Sequence, residues 1–313
     1  MNWVIAITGV LVLWSSAAWG ATLTWFANGE PDLAGYRVYH CSRQPCTKSS
    51  GNASLLVTLG KGTSFNIGTP AVTQYYFITA YDFGNRESNN SSVVTFPPPP
   101  ITFDATSNSA TGNTSNSISW NHTVGSGINR LLEVCTQARD AVAGDVPVLT
   151  VTANGRALTK VRRDIRTDGG SAYGTEIWHL VNPASGTNTI TVRWAGPLSE
   201  YGVGSATSYA GVNQSAPIDA QSGGGGIGTT IAATITTVVN HALVTDCVIG
   251  QGNGLNIGAG QTTKVDRYTS PRVDVVGVST VDDKTLAGPE TMNWIQDAAQ
   301  NWVISVVSLR PAP

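Results

Sequence analysis

Residues Val93–Thr102 read VVTFPPPPIT, a β-rich run, four prolines and a second β-rich run. Proline fixes φ and donates no backbone hydrogen bond, so neither flanking strand continues through the four. Consecutive prolines favour polyproline II at about 3.1 Å per residue, a stiff spacer of about 12 Å. The run therefore predicts two separately folded domains, residues 21–96 and 101–313, joined by a linker at 97–100.

The 313-residue chain is long enough for each part to bury its own core. Only 12% of residues are charged and the net charge is -2, which excludes whole-molecule attraction to nucleic acid. The 34 glycines, with frequent Thr, Ser, Asn and Val, argue for many short strands joined by tight turns. Long amphipathic helical patterns are absent, and the fold class is all-β.

The first twenty residues, MNWVIAITGVLVLWSSAAWG, are apolar and end in small side chains. Ala18 and Gly20 suit signal peptidase, which predicts a signal peptide cleaved before Ala21 and an exported protein. The alternative is an uncleaved anchor, for which the run is slightly short of the roughly 20 residues of a span. After cleavage no membrane span is expected. Export gives meaning to the four cysteines. Cys41 and Cys46 enclose SRQP, and Cys135 and Cys247 sit in the β-like runs LLEVCTQ and ALVTDCVIG. Disulfides Cys41–Cys46 and Cys135–Cys247 are expected, because no CxxC pair or His cluster accompanies these thiols as zinc would require.

Residues 21–96 read as short strands, among them TLTW, GYRVYH and QYYFITAYD. In the last, Tyr76, Ile78 and Ala80 share one face while Phe77, Thr79 and Tyr81 share the other. LTW at Leu23–Trp25, DLAGYRVY at Asp32–Tyr39 and YFITAYDFGNRES at Tyr76–Ser88 together resemble a fibronectin type III domain. The resemblance implies a seven-strand, two-sheet sandwich with Trp25 in its core and the role of a spacer or binding module. Little chain precedes Thr22, so the first strand is expected to be short or missing.

Residues 101–313 hold roughly a dozen strand-like runs, and VLTVTANGRALTKV (Val148–Val161) signals a hairpin turning at Asn154-Gly155. SWNHTVGSGINRLLEV, WHLVNPASGTNTITV, SYAGVNQSAPI and NWVISVVSL resemble a jelly-roll-like β-sandwich domain of bacterial secreted and surface proteins. That resemblance implies an architecture related to lectins and carbohydrate-binding modules, without an activity.

A glycoside hydrolase needs two carboxyl groups flanking its substrate. Glu133 and Asp246, each in a hydrophobic strand beside a cysteine, are the acids to watch, since neighbouring strands would let them approach. The alternative is a solvent-facing acid, or one paired with a cation such as Arg130. No G-x-S-x-G elbow supports a serine hydrolase, and His40, His122, His179 and His241 are scattered without metal spacing. SGGGGIG (Ser222–Gly228) contains a nominal GxGxxG but precedes a β-branched run rather than a helix, so it reads as a flexible loop. Asp282 and Asp283 are a weak Ca²⁺ candidate against an ordinary polar turn; no other cofactor or metal is implied.

Tyr173, Trp194, Tyr201 and Tyr268 lie near Gly-rich turns that could present them to sugars, with core or edge packing as the alternative. In RALTKVRRDIRT, strand alternation puts Arg156, Lys160, Arg162 and Arg166 on one face, beside Leu158 and Asp164. Four cations in a row suit an acidic polysaccharide, or they guard a sheet edge against aggregation. The sequence thus reads as an exported, non-catalytic binding or adhesion module for extracellular glycan or a surface protein, on a bacterial surface, in the periplasm or secreted. A structural spacer or assembly subunit is the alternative, and a carbohydrate-active enzyme the third reading.

Overall fold

The computed structural model describes residues 10–13, 21–68, 73–96, 100–110, 114–140, 147–252, 254–269 and 274–312. All regular structure among them is β-strand, arranged in antiparallel sheets that form β-sandwiches. The chain divides into one compact unit up to Pro99 and another of Pro100–Ala312. Of the expected leader, residues 1–9 and 14–20 lie outside the described residues, as do Pro97, Pro98 and Pro99 of the linker.

The smaller unit contains β1 (Val10–Leu13), β2 (Ala21–Trp25), β3 (Leu33–Cys41), β4 (Ala53–Leu59), β5 (Ser64–Gly68), β6 (Gln74–Asp82) and β7 (Val94–Phe96). One sheet has the order β1-β2-β5 and the other β4-β3-β6-β7. Leu23, Trp25, Tyr36, Val38, Tyr76, Ile78 and Ala80 bury their side chains between them, with the Trp25 ring edge-on to Tyr36 at 5.4 Å. The alternation expected for β6 places Tyr76, Ile78 and Ala80 in this core. A first strand is present: the apolar Val10–Leu13 pairs antiparallel with β2.

The larger unit begins with β8 (Thr102–Asn108), β9 (Ser117–Val124), β10 (Leu131–Asp140), β11 (Val148–Ala153), β12 (Arg156–Ala157), β13 (Thr159–Asp168) and β14 (Ser171–Val181). It continues with β15 (Gly186–Trp194), β16 (Tyr201–Ala210), β17 (Ile218–Thr237), β18 (Ala242–Gly250) and β19 (Leu255–Ile257). It ends with β20 (Thr262–Tyr268), β21 (Val275–Lys284) and β22 (Gly288–Leu309). The expected hairpin forms between β11 and β12, with both turn residues at positive φ (Asn154 47°, Gly155 79°).

These strands form a stack. A central sheet, β13-β14-β10-β16-β8, packs one face on an outer sheet, β12-β11-β15-β9, through Leu132, Val134, Trp178, Ile190, Val192 and Trp194. Its other face packs on a third sheet, β17-β22-β18-β21-β20, through Leu131, Ile177, Leu243, Val278 and Val307. The antiparallel β17–β22 pair is longer than that sheet and folds back over it. Residues 218–228 pair with 300–309, whereas 230–237 pair with 288–295, with a break in register between Gly228 and Thr230. Ser222 consequently donates to the carbonyl of Thr234, twelve residues along the same strand, at 2.7 Å. The folded half encloses a further core of Ile231, Ile235, Val248, Met292, Trp294 and Ile304.

Burial patterns follow from this layering. In β15 exposed and buried residues largely alternate, the mark of one solvent face, whereas every residue of β18 is buried. Several glycines expected in turns lie instead inside strands, beneath tryptophans. A Cβ at Gly204 would lie 2.5 Å from the Trp120 ring, and one at Gly277 would lie 2.8 Å from Trp294.

Both disulfides form as expected, each with a Cα–Cα distance of 5.7 Å. Cys41–Cys46 closes a sequence separation of 5 residues, and Cys135–Cys247 closes 112 while tying the central sheet to the third. Chain entropy assigns about 5 kcal/mol to the long loop and about 2 kcal/mol to the short one. Replacing Cys135 and Cys247 together by alanine is therefore expected to lower the unfolding free energy of the larger unit, from urea titration, more than replacing Cys41 and Cys46 lowers that of the smaller. Equal losses of free energy in the two units would contradict the assignment.

Candidate functional site

Chemistry-bearing side chains collect in the layer between the central and third sheets. Strand alternation directs the odd-numbered residues of β10 into this layer and Leu132 and Val134 into the other. Opposite them, Leu243, Thr245, Cys247 and Ile249 of β18 point back. The Cys135–Cys247 bridge crosses the middle. Beside it, Thr245 donates to Glu133 Oε1 at 3.0 Å, while Glu133 Oε2 meets no hydrogen-bond partner among the described residues. Burial pushes the Glu133 carboxyl up to about 8.

At the far end of β10 a second group forms around Asp274, whose side chain is fully enclosed. Tyr201 donates to Asp274 Oδ2 at 2.7 Å, and Arg139 approaches the same oxygen at 3.4 Å. The Arg139 guanidinium also lies 5.2 Å from the Tyr173 ring centre. Burial raises Asp274 to about 6 despite these partners, so desolvation outweighs the nearby cation.

Glu133 and Asp246 do not come together as a catalytic pair. Asp246 lies on β18 between Thr245 and Cys247, so alternation points it the opposite way, under the folded β17–β22 pair. There its carboxylate accepts from the Ser279 amide (2.6 Å), Ser279 Oγ (2.8 Å) and Trp294 Nε1 (2.8 Å). Burial still lifts it to about 7. The two acids thus occupy different layers, with a strand between them.

The basic row is split. Arg156 belongs to β12, where its guanidinium donates to the carbonyls of Asn182 (2.9 Å) and Val181 (3.4 Å). Within β13, Lys160 pairs with Trp178 but Arg162 pairs with Ile177, so Val161 is an extra residue and the alternation reverses. Lys160 consequently faces the outer sheet, 2.9 Å from Glu176, which also binds Arg163 at 3.0 Å. Arg162 and Arg166 face the third sheet. Arg162 makes two 2.7 Å bonds to Asp164, and Arg166 donates to Asn301 Oδ1 at 2.7 Å. Asp164 in turn accepts from Ser305 of β22 at 2.7 Å.

SGGGGIG, expected as a flexible loop, lies within β17 directly beneath these side chains. A Cβ on Gly223 would stand 2.3 Å from Asp164 Oδ2 and 2.7 Å from Arg162 Nε, and one on Gly225 would stand 3.3 Å from Arg166 Cβ. Gly223 and Gly225 are required by close approach of a charged strand, not by a turn.

Of the four aromatics expected to present themselves to sugar, Tyr173, Trp194 and Tyr201 are buried in the layers, and Tyr268 alone is exposed, at 39%. Asp282 faces Lys264 at 3.5 Å and Asp283 faces His241 at 3.0 Å, so the two acids turn to different partners. Among the described residues no group of three His, Cys, Asp or Glu could hold a metal. His122 is buried between Ser107 (2.8 Å) and Ser208 (3.0 Å), and burial pulls it down to about 4. Asp274 was missed from the sequence. Its only signal is a lone acid opening the apolar run VDVVGV (Val273–Val278).

No family model matches the chain, and no curated protein matches it. Solved structures with partial likeness include an alpha-L-rhamnosidase from Dictyoglumus thermophilum, at 9% identity and TM-score 0.24 over 97% of this chain and 48% of that one. An alpha-L-rhamnosidase of Streptomyces avermitilis complexed with L-rhamnose gives 12% and 0.23, over 97% of this chain and 39% of that one. The FN1-FN3 domains of chicken CNTN1 give 10% and 0.23, over 98% and 94%. The chain spans half or less of either rhamnosidase, and likeness at these TM-scores bears on neither site nor activity.

Glu133, Asp246 and Asp274 each have a folded-state pKa above the unfolded value near 4, so the native state holds the extra proton. Their contribution to stability is complete below that value and is lost as pH rises through about 6, 7 and 8. Thermal unfolding is expected at a higher temperature near about pH 5 than about pH 8.5, with a smaller difference in Glu133→Gln. A stability that rises across this range would contradict the burial of these acids. Separately, Gly223→Ala is expected to lose about 1–3 kcal/mol by crowding Asp164. Gly224→Ala, whose Cβ meets nothing within 4 Å, should stay within about 0.5 kcal/mol of wild type in the same denaturant titration.

Proposed function

We propose that the chain is an exported, non-catalytic module that works by surface contact, in adhesion or in assembly of an extracellular structure. The observation that carries this reading is the enclosure of its reactive groups. Glu133, Asp246 and Asp274 are buried between layers, while Arg162 and Arg166 are bonded to Asp164 and Asn301. Glycoside hydrolysis needs two carboxyl groups flanking an accessible bond; acids in separate closed layers do not supply that. Two disulfides support an oxidising compartment outside the cytoplasm. The three- and four-stranded sheets around Trp25 support a fibronectin type III-like spacer. A jelly-roll-like origin for the larger unit belongs to the same reading, with the folded β17–β22 pair added as a further layer.

Glycan recognition is the second reading, and the exposed Tyr268 favours it. Light scattering of the full chain over a concentration series is expected to show assemblies without release of reducing sugar from polysaccharide. Sugar release would overturn the non-catalytic reading. Glycan-array binding lost in Tyr268→Ala would select the glycan reading over assembly. Arg162→Gln with Arg166→Gln is expected to lower the unfolding free energy by about 1–3 kcal/mol for each charged hydrogen bond removed. Loss of polyanion binding at unchanged stability would instead restore the basic row as a ligand site.

A further inference from the structure

In the smaller unit β2 is the middle strand of its sheet, and its two sides are filled from different parts of the chain. β2 is bonded on one side to β5, with Thr22 opposite Asn66 and Leu23 opposite Phe65. Its other side is occupied by β1, with Val10 opposite Trp25, Leu11 opposite Thr24, Val12 opposite Leu23 and Leu13 opposite Thr22. Yet Val10–Leu13 lies inside the twenty-residue apolar stretch that reads as a leader ending before Ala21. A removed leader cannot also be a strand. Once processed, the chain would begin at β2 itself, in a two-stranded sheet packed on the four-stranded one, with one side of the β2 backbone unpaired.

The edge so exposed is unguarded. ATLTW contains no charged side chain and no proline, its one charge after processing being the amino group of Ala21, and its Leu23 and Trp25 belong to the core. Three other edges carry protection: β4 has a bulge opposite Val38 and Tyr39, β13 carries Lys160, Arg162, Arg163 and Arg166, and β20 carries Lys264, Asp266 and Arg267. A four-residue apolar strand fits the β2 edge, because one from this chain is seated there.

We propose that the β2 edge is a strand-acceptor site. In the processed protein it takes an extended, uncharged, Val/Leu-rich segment of a partner polypeptide, antiparallel to β2, in the place that Val10–Leu13 holds here. Main-chain hydrogen bonds supply the affinity, and contact with the Leu23/Trp25 core supplies the preference for apolar side chains. The proposal rests on the contact-module reading and names its partner class.

The test compares the full chain with a chain beginning at Ala21, using hydrogen exchange at the β2 amides. Protection in the full chain, loss in the shorter one, and at least tenfold slower exchange on adding a peptide of residues 8–16 are expected. The same peptide carrying Val12→Pro should give no protection, since proline breaks the ladder. If the shorter chain folds only with the peptide, the acceptor role also stands. β2 amides already protected in the shorter chain, or no folding with or without peptide, would overturn it. So would mass spectrometry of the exported protein showing an N-terminus upstream of Val10, because the edge would then be filled within the chain. Sugar release or array binding leaves these readouts unmoved, so failure of the contact-module reading is separable from failure of the acceptor site.

Discussion

The central sheet of the larger unit is covered on both faces, and the rest of that unit depends on this constraint. A sheet with one face in water can leave its polar side chains there. β10 cannot, and Leu131–Gln137 are all buried. Its apolar residues join two cores at once, and each of its polar residues must find a partner in a neighbouring layer or become neutral. Thr245 meets Glu133, and Asp274 meets Arg139. Elsewhere in the same layer Thr175 meets Ser305 at 2.7 Å. Where the partner is insufficient, as at Glu133, the carboxyl holds its proton near neutrality.

Polar contacts of this kind add little net free energy, about 0.5–1.5 kcal/mol each, yet cost about 1–3 kcal/mol when one partner is left unpaired. The apolar clusters therefore supply most of the stability of the stack, and the polar pairs discriminate between alignments of its sheets. Slipping β10 by one residue against β18 would leave Glu133 without Thr245 and part the two cysteines. The disulfide and the hydrogen bonds agree on one register, and that agreement favours a single native arrangement.

Much of this was legible in the sequence. Strand periodicity, the Asn154-Gly155 turn and the cysteine pairing each rest on local rules, and each appears in the structure. The candidate site was less legible, because its placement depends on single residues. The extra Val161 reverses alternation within β13 and sends Lys160 and Arg162 to opposite layers. The bend near Gly228 folds a twenty-residue strand back on itself, and no periodicity announces which layer covers Asp246. Glycine misled for a physical reason. The residue that suits a turn also suits a strand crossed closely by another chain segment, and only the tertiary neighbour tells which use applies.

The stacking of β13 over β17 joins these themes. Both are edge strands, and an edge strand exposes unpaired backbone groups to other chains. Charges on β13 discourage such pairing, but a row of charged side chains also needs room and partners. The glycines of β17 give the room, and Asp164, Asn301 and Ser305 give the partners. Half of the basic row that reads as a ligand surface in one dimension, Arg162 and Arg166, thus lies in the contact that closes one side of the stack in three. Arg156 and Lys160, sent elsewhere by the turn and by the extra Val161, stay at the surface.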